Sequence, residues 1–115
     1  MKKSAKLSIL VIALLFIAGL VAVLIKKQPA QILFYSDSCP HCKIVEQYIK
    51  DNNVKNYLVF QELEVSSNPA NAQLLVKKAG ECGLPSEGLG VPFFYDGSNC
   101  FSGDQDIIKY FSSKK

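Results

Sequence analysis

The sequence predicts an α/β domain, a β-α-β-α-β-β-α sandwich, behind an N-terminal transmembrane helix. Three observations carry this expectation. Leu7 to Ile25 is an uncharged apolar run of 19 residues. From Gln31 to Lys115, apolar runs of strand length alternate with stretches whose apolar residues recur at helical spacing between capping residues. Where the first such strand gives way to the first such helix stands Cys39-Pro40-His41-Cys42.

Residues 1–6 form a basic tail, and residues 7–25 the expected span. As a helix the span is about 28 Å long, close to the roughly 30 Å hydrocarbon core of a bilayer. A cleaved signal peptide also has a basic start and an apolar run, but its apolar stretch is normally shorter. No clear small-x-small cleavage site stands between Gly19 and Ala30, so an uncleaved single-pass anchor in the cytoplasmic membrane is the expectation. Lys2, Lys3 and Lys6 precede the span and Lys26 and Lys27 follow it, a bias that favours an extracytoplasmic C-terminal domain. Residues 26–30 make a tether of about 17 Å at full stretch, which keeps the domain near the bilayer.

Within residues 31–115 the elements follow in order. Gln31 to Tyr35 is the first strand, closed by the turn-forming Ser36, Asp37 and Ser38. Pro40 suits the first position of a helix to Asp51, because its missing N–H is not needed there. Cys42, Val45 and Ile49, with Ile44 and Tyr48, form that helix's apolar stripe. Tyr57 to Val65 reads as the second strand. Asn68-Pro69 opens a second helix to about Ala79, with Gly80 just past its end. A loop from Glu81 to Gly90 leads to a hairpin, Val91 to Tyr95 and Ser98 to Phe101, turned by Asp96-Gly97. The last helix runs from Gln105 to about Ser112, with Ile107, Ile108 and Phe111 facing inward.

Charge excludes one class of function. Five of the thirteen lysines flank the span, leaving eight against ten acidic residues in the domain, a net of −2. No basic surface for nucleic acid follows from that balance. The four cysteines all lie in the domain. A bridge between Cys39 and Cys42 closes too short a loop to constrain the unfolded chain much, so reactivity explains the pair better than stapling.

The chemistry expected of the pair follows from its place. Unpaired N–H groups and the positive dipole end of the helix stabilise a Cys39 thiolate, and His41 adds to this when protonated. Stabilising a thiolate lowers its nucleophilicity almost as fast as it raises its population, so the attack rate hardly changes. The reduced form gains stability instead, and the couple becomes more oxidising. Pro40 and His41 are expected to tune the direction of electron flow.

The element order, the "CPHC" of Cys39 to Cys42 and the "GVP" of Gly90 to Pro92 resemble the thioredoxin superfamily in its compact glutaredoxin-like form. The tetrad is similar to that of DsbA-type disulfide oxidases. The resemblance implies a thiol-disulfide oxidoreductase in which Cys39 is the nucleophile, Cys42 the resolving thiol, and Pro92 a cis-proline facing them. It also implies that the peptide groups around Val91 pair with a substrate's backbone. No cofactor or metal is implied. The implied partners are protein thiols or disulfides, or glutathione, and the short tether adds the expectation of a membrane-embedded redox protein or substrates near the bilayer. Where such proteins often keep a buried acid, this chain has Leu33, with Glu46 as a substitute near Cys42 or simply a solvated helix residue. The usual Gly-Gly of glutaredoxins is Ser102-Gly103.

Rival readings stay open at this level. The same fold run as a disulfide reductase or glutathione-linked enzyme is one. A metal-binding membrane module built on Cys39, Cys42 and His41 is another, although Cys82 and Cys100 do not form the second Cys-x-x-Cys of a zinc knuckle. Cys82 and Cys100 themselves are either a structural disulfide or two unrelated thiols.

Overall fold

The computed structural model describes residues 2–24 and 30–115. Ile25 and most of the expected tether lie outside the described residues. Helix α1 spans Lys2–Leu24, and its Lys3–Val21 stretch is long and apolar enough to cross a membrane, as an anchor or a signal sequence would be. From Lys3 to Val21 its side chains are exposed.

The domain follows as β1 (Ile32–Tyr35), α2 (Pro40–Asp51), a 3₁₀ turn (Val54–Asn56), β2 (Gln61–Glu64), α3 (Pro69–Glu81), β3 (Phe93–Tyr95), β4 (Cys100–Ser102) and α4 (Asp104–Ser113). The four strands form one sheet in the order β2-β1-β3-β4. β1 runs parallel to β2, with Phe34 opposite Leu63, and antiparallel to β3, with Leu33 opposite Phe94. β4 completes the sheet antiparallel to β3.

Alternation along the central strands sends side chains to two cores. Leu33 and Phe94 meet Val45 and Ile49 of α2 and Ile107 and Phe111 of α4 on one face. Ile32, Phe34 and Phe93 meet Leu75 and Ala79 of α3 on the other. Helices therefore cover both faces, as a mixed sheet with a parallel pair requires. Aromatic rings knit the first core: Phe94 and Phe111 lie edge to face at 5.0 Å, and Phe60 stacks on Phe111 at 5.5 Å.

Several boundaries depart from the sequence expectation. The second strand begins four residues late, at Gln61. Asn53 adopts a left-handed conformation at φ 50° and leads into the 3₁₀ turn, which buries Val54 and Leu58 one helical turn apart. Val59 is left 72% exposed. Gly80 lies inside α3, which continues to Glu81 and ends on Cys82. Ile44 is exposed and Ile108 half-buried. The hairpin turn is the longer segment 96–99, because the Asp96 carboxylate accepts the backbone N–H groups of Ser98 and Asn99 at 2.9 and 2.6 Å.

Candidate active site

Three chain segments meet at the carboxyl end of β1. The first is the start of α2. The Ser36 carbonyl accepts the Cys39 N–H at 3.2 Å, which turns the chain out of β1. Cys39 then caps the helix with extended backbone, φ −93° and ψ 117°, and Pro40 occupies the first turn. The Cys39 sulfur accepts the backbone N–H of Cys42 at 3.2 Å. A sulfur so placed receives one of the helix's unpaired donors.

The two thiols, both free, occupy opposite environments. Cys39 is half-buried, whereas Cys42 is 1% exposed. Burial pushes the Cys42 thiol up to about 12, and its hydrogen bond with Cys39 acts in the same direction against the opposing bond to the Ser36 backbone. The outer sulfur is available to a partner. The inner sulfur is held as a neutral thiol.

The second segment is the start of β3. The Val91–Pro92 peptide bond is cis, with Pro92 buried and Val91 half-buried. The Cys39 thiol donates to the Val91 carbonyl at 3.5 Å, so Val91 and Pro92 stand beside the outer sulfur. The Pro92 carbonyl accepts the N–H of Gly103 at 3.0 Å.

That bond brings in the third segment, the start of α4. Gly103, at φ 89°, precedes Asp104 in the helix's first turn. The His41 imidazole reaches Asp104, with Nδ1 at 3.3 Å from Oδ1. Sequence reasoning did not connect Asp104 with His41; locally Asp104 reads as an acidic residue opening a helix, which is common.

Leu33, where the sequence resemblance would put a buried acid, is a core residue 1% exposed. Glu46 pairs with Lys43 at 3.4 Å and lines a cavity of about 260 Å³ with Leu33, Tyr35, Asp37 and Glu62. Its charge also opposes ionisation of Cys42. Among the described residues, no group of three or more His, Cys, Asp or Glu side chains could hold a metal ion.

Cys82 and Cys100 form a disulfide, with Cα atoms 6.2 Å apart, tying the end of α3 to β4. Beside it the Tyr95 hydroxyl lies 2.9 Å from both the Glu81 carboxylate and the Gly97 carbonyl. Lys78 sits over the Tyr95 ring at 4.8 Å. The loop leading to Val91 and Pro92 is thus fixed at its start by covalent and polar contacts.

Residues 31–86, which carry both free cysteines, match the glutaredoxin family model, a domain of the thioredoxin superfamily. The match points to thiol redox chemistry. Comparison with curated proteins found no match.

Proposed function

We propose that the chain is a membrane-anchored thiol-disulfide oxidoreductase that exchanges disulfides with protein partners through Cys39 and Cys42. The observation that carries this reading is the pairing of an accessible sulfur on a helix N-terminus with a buried thiol behind it. Only the outer sulfur is open to an intermolecular disulfide. Only the inner one is close enough to resolve it.

In the reductive direction the Cys39 thiolate attacks a partner disulfide. One partner sulfur leaves as a thiolate and takes a proton, while Cys39 becomes linked to the other. Cys42 then loses its proton and attacks the Cys39 sulfur, releasing the second partner thiol and forming the Cys39–Cys42 disulfide. In the oxidative direction the same steps run backwards, and the partner leaves with the disulfide. Electrons travel on sulfur throughout, so the cycle requires no cofactor. In this reading the peptide groups around Val91, which lies beside Cys39, pair with an extended partner backbone.

The apolar α1 supports attachment to the membrane, and the Cys82–Cys100 disulfide supports an extracytoplasmic domain, since such bonds persist in oxidising compartments. A membrane-embedded redox protein or substrates near the bilayer fit that placement. Trapping tests the reading. Cys42→Ser in the full-length chain should accumulate mixed disulfides on Cys39 that mass spectrometry identifies, and a Cys39 that stays unlinked to any thiol or disulfide contradicts it.

A second reading, a glutathione-linked reductase, is favoured by the glutaredoxin match. A Cys39/Cys42 potential near or below roughly −270 mV, the value for thioredoxin, would favour it.

A further inference from the structure

A closed circuit of contacts runs around the two thiols. Cys39 touches the Val91 carbonyl at 3.5 Å, the Pro92 carbonyl takes the Gly103 N–H at 3.0 Å, and Asp104 reaches back to His41 at 3.3 Å. His41 lies two residues beyond Cys39 on α2. We propose that Asp104 is the positioning residue of the exchange reaction, holding the His41 ring toward α4 and so setting what it contributes to the Cys39/Cys42 couple. The inference rests on the thiol-disulfide reading above.

Exposure shows which partner is fixed. The Asp104 side chain is only 19% exposed, whereas that of His41 is 68% exposed. Asp104 also sits in the first turn of α4, where a carboxylate is stabilised by the helix N-terminus. It is therefore the anchored member of the pair, and the imidazole is the one that would otherwise rotate freely. Among the described residues, Asp104 is the one side chain paired with that ring.

Two consequences follow for the reaction. A ring donating Nδ1–H to a carboxylate keeps its other nitrogen, Nε2, as the acceptor when neutral. When protonated, it forms a pair with Asp104 that presents no net charge to Cys39. Asp104 thereby restrains the oxidising influence of His41. Without it, the ring is free to turn toward Cys39, and its positive charge favours the reduced dithiol.

Nitrogen-15 NMR of the chain's single histidine tests the positioning directly, read at about pH 8 on full-length protein in detergent micelles. Wild type should carry its ring proton on Nδ1, and Asp104→Ala should move it to Nε2. The equilibrium of Cys39 and Cys42 with glutathione should shift about threefold toward the dithiol in the same variant, within the range of exposed ion pairs. Should the alanine variant not fold, Asp104→Ser, suited to a helix start but too short to reach the ring, takes its place. An Nδ1 proton that survives the substitution overturns the proposal, as does an equilibrium that stays put or moves toward the disulfide. A wild type that exchanges nothing with glutathione or with protein disulfides removes the underlying reading instead, and the proposal falls with it.

Discussion

The Cys39 sulfur accepts the backbone N–H of Cys42 at 3.2 Å, while the thiol of Cys42 itself lies buried behind it. One helical turn thus supplies a donor to the outer sulfur and withholds solvent from the inner one. The two sulfurs acquire different tasks from this difference alone. The outer one can carry charge and meet a partner, and the inner one must be deprotonated at the moment it resolves the mixed disulfide.

The buried thiol makes the reduced protein sensitive to alkali. Burial raises Cys42 to about 12 from an ordinary value of 9.0. Below the lower value the thiol is neutral in folded and unfolded chains alike, and pH has no effect through it. Above it the unfolded chain loses the proton that the folded chain keeps, so stability falls as pH rises, by at most about 1.4 kcal/mol per unit. Urea unfolding of the reduced protein at rising pH should be steeper in wild type than in Cys42→Ala. Equal slopes would contradict the assignment.

His41→Ala should make the couple more reducing. Where His41 is protonated, the substitution removes the positive half of the His41–Asp104 pair and leaves the carboxylate uncompensated near the active site. A shift of about twofold to fivefold toward the disulfide is expected, the scale of an exposed ion pair. Equilibration with glutathione buffers, followed by thiol alkylation, measures it. No shift would remove His41 from the machinery.

The Cys82–Cys100 disulfide closes a segment with a sequence separation of 18. Loop-closure entropy for that size gives about 3 kcal/mol of stabilisation. Replacing both cysteines with alanine should lower stability in denaturant titrations by that order while leaving disulfide exchange at Cys39 intact. Loss of exchange in a folded variant would show that the bridge belongs to the reaction itself.

Local signals made some features legible in the sequence and left others hidden. The α2 boundaries, Pro40 and Asp51, could be read directly because the capping cysteine, the proline and the apolar stripe all lie within one short stretch. The start of β2 could not, since Val54 and Leu58 are drawn into the core beside Phe94 and Phe111, which no local pattern reveals. Asp96-Gly97 suggested a tight turn, but the Asp96 carboxylate found two backbone donors further on and lengthened it. The state of Cys82 and Cys100 stayed open because sequence spacing does not fix pairing. The tie between Asp104 and His41 was hidden for a related reason: the two residues lie on different helices, far apart in sequence.

The most direct test of the central claim is a redox titration of the full-length protein in glutathione buffers of known ratio, with accessible thiols alkylated and located by mass spectrometry. The account predicts one two-electron transition in which Cys39 and Cys42 pass together between dithiol and disulfide, with Cys39 the first to be alkylated in the reduced form. Thiols that never enter a disulfide at any glutathione ratio, or a Cys42 that reacts ahead of Cys39, would contradict it.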